Sequence, residues 1–163
     1  MKIGIMSDSH DNLSMIQAAV DVFNSNGVDM VFHAGDIVSP FTAGVFQDLR
    51  CKMVAVFGNN DGDPLFLKKK FEGIAEFYGK FLDLTLENRR IAMLHGEHPQ
   101  IITALVDSGM YDVVIRGHNH KREILKRENT LLLNPGETCG YLTGDATVMI
   151  LDLENLQPDI IEL

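Results

Sequence analysis

Apolar and polar positions along the chain switch between two periods, and the switch points divide it into strands and helices. The opening "KIGIMS" is an apolar run of buried-strand length, and "DNLSMIQAAVDVFNSNG" follows with Leu13, Ile16, Val20 and Phe23 at spacings of three and four. That spacing predicts an amphipathic helix, with Asp11 or Asn12 as N-cap and Gly27 as its stop. "VDMVFHAGD" repeats the strand, and "SPFTAGVFQDL" repeats the helix, with Ser39 as cap and Pro40 at the first helical position, where a missing N–H costs nothing. "KMVAVF" is a third strand. This order is that of a parallel sheet covered by helices.

Beyond Gly62 and Pro64 the pattern loosens, and "LFLKKKFEGIAEF" fits either a short helix or an irregular cover over the sheet. "FLDLTLE" and "RIAMLH" read as an antiparallel pair, "PQIITALVDSG" as a capped helix ending at Gly109, and "YDVVIR" as another strand. The tail turns to strands, "EILKR", "TLLLN", "ATVMILDL" and "DIIEL", separated by Gly, Asn, Asp and Pro. A layered α/β sandwich with two mixed sheets accommodates this order better than one doubly wound sheet. No linker, low-complexity tract or repeat divides the chain, so residues 1–163 are expected to form a single domain.

Composition narrows the function classes. A chain of 163 residues with 45% hydrophobic content can bury a substantial core and still carry a site on its rim. No apolar run approaches a membrane span, the N-terminus turns polar too soon for a signal peptide, and Cys51 and Cys139 lack CxxC spacing. A soluble, cytoplasmic protein with reduced thiols is expected. The net charge of -9 opposes general nucleic-acid binding, and no basic, aromatic-studded stretch is present to hold a single strand. A local cationic site for a small phosphate is still allowed.

The unusual polar residues fall in one place on this map. Five apolar strands end in metal-ligating residue types followed by a turn: Asp8-Ser9-His10, Gly35-Asp36, Gly58-Asn59-Asn60-Asp61, His95-Gly96 and Gly117-His118-Asn119-His120. Ligands of α/β folds collect outside the carboxyl ends of strands. Seven candidate ligands result: Asp8, His10, Asp36, Asn59, His95, His118 and His120. Any one of these fragments taken alone is ordinary turn chemistry. Five together, holding four of the six histidines, are not.

In this order "DSH", "GD", "GNND", "HG" and "GHNH" resemble the signature of the calcineurin-like metallophosphoesterase family, and "NPGE" resembles the "NPGS" of its small prokaryotic phosphodiesterases. The resemblance implies an α/β/β/α sandwich of two mixed sheets flanked by helices. It also implies two divalent ions, manganese first, with nickel, iron, cobalt or zinc as alternatives. Asp8, His10 and His120 would hold one, Asn59, His95 and His118 the other, and Asp36 would bridge. Two dications about 3.5 to 4 Å apart repel by on the order of 15 to 20 kcal/mol at an effective dielectric near 20, so anions must sit between them. Asp36 is one, and a metal-activated hydroxide is the second. Set against Asp8, Asp36 and one hydroxide, two dications leave a single positive charge, which suits a small phosphodiester. The hydroxide would attack phosphorus in line. Alternatives of the same fold are a phosphomonoesterase, a nuclease or a non-catalytic binding scaffold.

Several residues depart from the family pattern or lie beside it. Asn60 stands where many relatives carry a histidine that protonates the leaving group; a neutral amide cannot, but it can bind a phosphate oxygen, so Asn60 is the expected catalytic and substrate-binding contact beside Asp36. Glu97 is open to three readings: a metal or water contact, an acid with a raised pKa, or a solvated loop carboxylate. The last is favoured. Glu137, replacing the usual serine, would add negative charge near the pocket. His33 reads as a packed or ligand-orienting histidine, and His98 has no assigned role. The hydroxyls of Ser7 and Ser9 are expected to satisfy local backbone groups, and Lys68 to Lys70 to form a solvated helix face. "CGYL" is a candidate subunit contact in a homo-oligomer, with burial inside the domain as the alternative. An extended "HNH" would point His118 and His120 the same way and turn Asn119 aside.

Overall fold

The computed structural model describes residues 1–163. In β1 (Lys2–Met6), Ile3 and Ile5 enter one core and Met6 another, so the strand is apolar on both faces. The same alternation governs β2 (Met30–His33) and β3 (Lys52–Ala55), where Val31 and Met53 face one way and Phe32 and Val54 the other. Strands covered on both sides read as continuous hydrophobic runs, which is why these three were legible.

The first sheet has β4 (Ala75–Phe77), β3, β2 and β1 in parallel succession. Antiparallel to β1 lies β10 (Thr147–Asp152), and β11 (Gln157–Glu162) closes the edge. The second sheet orders β5 (Phe81–Leu86), β6 (Arg89–Leu94), β7 (Val113–Ile115), β9 (Thr130–Pro135) and β8 (Arg122–Arg127). Its middle strands β6, β7 and β9 are parallel, and β5 and β8 are antiparallel hairpin partners at the two edges.

Three apolar layers hold four structural layers together. Ile3, Ile5, Phe32, Ile91, Val113, Leu133 and Met149 fill the space between the sheets. On the far side of the first sheet, α1 (Leu13–Ser25) buries Ile16, Val20 and Phe23 against Val31 and Met53, with Phe46 and Leu67 alongside. On the far side of the second, α4 (Pro99–Asp107) sets Ile102 and Val106 against Ala92, Val114 and Leu132. The architecture is therefore α/β/β/α with two mixed sheets, as expected. Each fully buried aliphatic side chain contributes roughly 1.5 to 3 kcal/mol by leaving water.

Local differences from the sequence pattern have local causes. Asn12, not Asp11, caps α1, its Oδ1 accepting from the Met15 N–H at 3.4 Å; Asp11 instead accepts the Ser39 N–H at 2.9 Å and ties two strand-end loops together. The second helix is shorter than its apolar spacing suggests. A 3-10 turn over Pro40–Thr42 leads into α2 (Ala43–Phe46), and Ser39 makes no capping bond. The ambiguous stretch resolves into α3 (Pro64–Lys70), capped by Asp63, and the short strand β4. No helix is long and apolar enough to cross a membrane.

Candidate metal centre

The carboxyl ends of β1, β2 and β3 in one sheet and of β6 and β7 in the other meet at one edge of the sandwich. Backbone bonds fix the loops that follow: Asp8 N–H donates to Gly35 O at 3.0 Å, His10 N–H to Asp36 O at 3.1 Å, and Gly117 N–H to His95 O at 2.9 Å. Five of the seven candidate ligands, Asp8, His10, Asp36, His118 and His120, have φ between 39° and 72°. Non-glycine residues in this left-handed region cost energy and gather where a site over-determines the backbone. The two histidines of "HNH" thus sit in a tight turn. The extended geometry expected for that segment is not what aligns them. Asn119 contributes by fastening the turn, its Oδ1 accepting from Asn134 Nδ2 at 2.8 Å and from the Lys121 N–H at 3.1 Å.

All seven candidates come together. His10 Nε2 lies 3.5 Å and His95 Nε2 3.2 Å from Asp36 Oδ2, which places this carboxylate oxygen between two imidazoles from different sheets. His120 Nε2 is 3.4 Å from Asp8 Oδ1, and His118 Nδ1 is 3.0 Å from Asn59 Oδ1. Two sets, Asp8 with His10 and His120, and Asp8 with Asp36 and His95, each bring their ligand atoms within 4.8 Å of one another.

The fit to a cation follows from what these atoms lack. Asp8 Oδ1, His10 Nε2 and His95 Nε2 are buried and have no hydrogen-bond partner, a costly state for polar atoms. The opposite atoms of Asp8 and His95 are satisfied. Asp8 Oδ2 accepts the His118 N–H at 3.1 Å, and His95 Nδ1 bonds Ala34 O at 2.8 Å. The free atoms face one another across the site, and divalent cations bound there would satisfy them. An oxygen and nitrogen donor set without thiolate suits manganese, iron, cobalt, nickel or open-site zinc.

Electrostatics agrees with the geometry. Burial raises the Asp8 pKa above the ordinary carboxylate value. Burial works against ionised Asp36 as well, yet the adjoining His95 ring and two donors from Asn60 outweigh it and hold the carboxyl well below that value. Those donors are the Asn60 backbone N–H, 2.8 Å from Oδ1, and Nδ2, 2.7 Å from Oδ2. His95 is buried, which lowers its pKa, but the neighbouring Asp36 and Asp8 carboxylates carry it above the ordinary histidine value.

Four supporting residues had signals in the sequence whose meaning was not legible there. Glu137 is fully buried, and its Oε2 lies 2.7 Å from His120 Nδ1, leaving Nε2 for the centre. Its oxygens also accept from the Leu142 N–H, the Thr143 N–H and hydroxyl, and the Cys139 thiol. Despite burial, these donors bring its pKa down to about 2. Cys139 falls close to His120 and Glu137, but burial and the Glu137 charge push its thiol up to about 12, so it acts as a donor. Asp61, the last residue of "GNND", accepts the backbone N–H groups of Asp36, Val38 and Gly58 and joins two of the loops. Asn134 of "NPGE" donates to Gly117 O and Asn119 Oδ1.

Other expectations divide. His33 is fully buried, accepts the Gly35 N–H on Nδ1 and bonds the Ser9 hydroxyl through Nε2 at 3.0 Å, in keeping with an orienting role. Ser9 therefore serves a side chain and not local backbone. Glu97 is neither solvated alone nor an acid with a raised pKa: it pairs with Lys80 at 3.1 Å, and against partial burial its own backbone N–H, then Lys80 and His95, draw its pKa down. His98 precedes α4 without a capping bond. "CGYL" splits, with Cys139 buried and Tyr141 and Leu142 exposed.

Fold and site together define a class: a four-layer sandwich with a carboxylate and imidazole cradle at its strand ends. The chain belongs to the calcineurin-like phosphoesterase superfamily, whose domain model matches residues 1–156. It is 42% identical over 156 residues to "Phosphodiesterase MJ0936" of Methanocaldococcus jannaschii, covering 94% of each chain. A probable metallophosphoesterase of Methanothermobacter thermautotrophicus is 33% identical over 99% of this chain and 92% of its own length. Among solved structures, a novel archaeal phosphodiesterase matches over 100% of both chains with a TM-score of 0.96 and 40% identity.

Proposed function

We propose that the chain is a hydrolase of phosphodiester bonds that works with two divalent cations on a small substrate in the cytoplasm. The observation that carries this reading is the set of buried, partnerless atoms, Asp8 Oδ1, His10 Nε2 and His95 Nε2, gathered around Asp36. The identity to a curated phosphodiesterase over 94% of both chains supports the reaction class. In this assignment Asp8, His10 and His120 would hold one ion and Asn59, His95 and His118 the other, with Asp36 available to both. Bound there, such ions supply Lewis acidity for the phosphoryl oxygens and lower the pKa of water.

The chain's own groups do the rest. Glu137 fixes the tautomer of His120, and the Ala34 carbonyl fixes that of His95, so both present Nε2 inward. Asn60 approaches the site through Nδ2, which donates one N–H to Asp36 Oδ2 and has a second to offer a phosphoryl oxygen. An amide has no proton to give a departing alkoxide. Aryl and other good leaving groups are therefore the expected substrates. The phosphodiesterase reading is tested by stripping the protein with chelator, adding back single metals with manganese first, and assaying an aryl phosphodiester beside its monoester. Turnover of the diester above the monoester is expected, and binding of metals without turnover of either contradicts the reading. Asn60→His should raise activity on alkyl esters relative to aryl esters; an unchanged ratio removes Asn60 from the reaction.

A further inference from the structure

One cavity adjoins the candidate centre without belonging to it. On α4, Pro99, Ile102, Thr103 and Val106 occupy one face at spacings of three, four and seven. On β8, the alternate residues Glu123, Leu125 and Arg127 face the same space, and Leu132 of β9 forms its floor. The groove between them has a volume of about 340 Å³. Its inner end is built from Gly96, His118 and Asn119, in the loops that carry three of the candidate ligands, His95, His118 and His120. His118 is the partition, its ring 5.1 Å from that of His95 and its Nδ1 on Asn59 while it also borders the groove.

We propose that this groove is the subsite for one ester arm of the substrate and that it takes a planar aromatic or heteroaromatic ring, up to the size of a nucleobase. The inference rests on the phosphodiesterase reading, since a diester seated at the cations must place two organic arms somewhere. Size fits one ring: ligand sites run from about 300 to 1,000 Å³, and this one is at the small end. Chemistry favours a flat ring over an alkyl chain. The floor is apolar, and Arg116 and Arg127 stand beside it, each with its charge answered by a carboxylate. Glu123 Oε2 holds Arg116 Nη2 at 2.6 Å and Nε at 3.1 Å, and Asp107 holds Arg127 at 2.9 Å. Guanidinium planes fixed in this way stack on aromatic faces without calling for an anion. The phosphate stays at the centre.

The test uses the metal-loaded protein and two variants that fill the groove from opposite walls at exposed positions, Leu125→Trp and Thr103→Trp. Calorimetry with diphenyl phosphate and dimethyl phosphate should show the diphenyl ester binding at least roughly tenfold more tightly to the native protein, the scale of a filled apolar pocket. Both variants should lose that preference and keep the dimethyl affinity. With bis(p-nitrophenyl) phosphate they should raise KM by roughly tenfold and leave kcat nearly unchanged, the signature of lost ground-state binding. A preference that survives in both variants, or its absence from the native protein, overturns the subsite. Failure of the metal-loaded native protein to hydrolyse bis(p-nitrophenyl) phosphate instead overturns the reaction assignment, because the diphenyl preference is still read by binding alone.

Discussion

Glu137 shows how much a single buried residue can set. Its carboxylate is out of water, meets five donors and stays ionised because all of them favour the charged form. A carboxylate on the far nitrogen of a ligating histidine fixes ring orientation and raises basicity, and losing it costs about 10- to 100-fold in metal affinity. Glu137→Gln should weaken manganese binding by that amount in a calorimetric titration. The same change has a pH signature. The folded pKa of about 2 lies below the ordinary 4.5, so the ionised group stabilises the fold above pH 4.5, and the contribution fades as pH falls toward 2. The difference corresponds to about 3 kcal/mol. Urea unfolding of native and variant proteins should therefore differ at pH 7 and converge near pH 2. The position was visible in the sequence as a departure from "NPGS"; its burial and its line to His120 were not, because both depend on where the loop from Gly136 folds back.

At the level of elements, the site is an exercise in close loop approach. A Cβ on Gly117 would run into Ser7 Oγ and come within 2.6 Å of Asp8 Oδ2, and one on Gly58 would collide with Asp36 Oδ1. Gly117→Ala must displace Asp8 or open the turn, at a cost of about 1 to 3 kcal/mol, and cation affinity should fall by more than tenfold while the circular dichroism of the sheets persists. Which elements were legible follows the same physics. β1, β2, β3, β6 and β7 are apolar runs that give way to polar turns, and the sequence places their ends within about three residues, β2 and β3 stopping at His33 and Ala55 before the runs themselves end. The helix after Ser39 was read as longer than it is, since apolar spacing continues through a 3-10 turn and past the end of α2. β4 was hidden because three residues carry no period. The left-handed turn at His118 and His120 was also beyond reach, because histidine adopts it only when tertiary contacts such as Asn134 with Asn119 enforce it.

For the molecule as a whole, the four layers decide both what is stable and where chemistry can occur. His33 lies inside them, fully buried behind the strand ends, and burial holds its pKa down at about 3, with the nearby His95 adding to the effect. The folded protein keeps it neutral, whereas the unfolded chain takes up a proton near pH 6.5, so its contribution is complete above pH 6.5 and is lost as pH falls toward 3. A His33→Gln protein should be less stable than the native one at pH 7 and approach it near pH 3, as measured by denaturant unfolding across that window. The convergence of five strand ends also makes a quantitative claim about cations. The most direct test is to count manganese bound to chelator-stripped native protein by calorimetry with elemental analysis, beside Asp36→Asn. Two ions per chain are expected in the native protein, with a loss of affinity at both sites in the variant. A single ion in the native protein, or two undisturbed sites in Asp36→Asn, would contradict it.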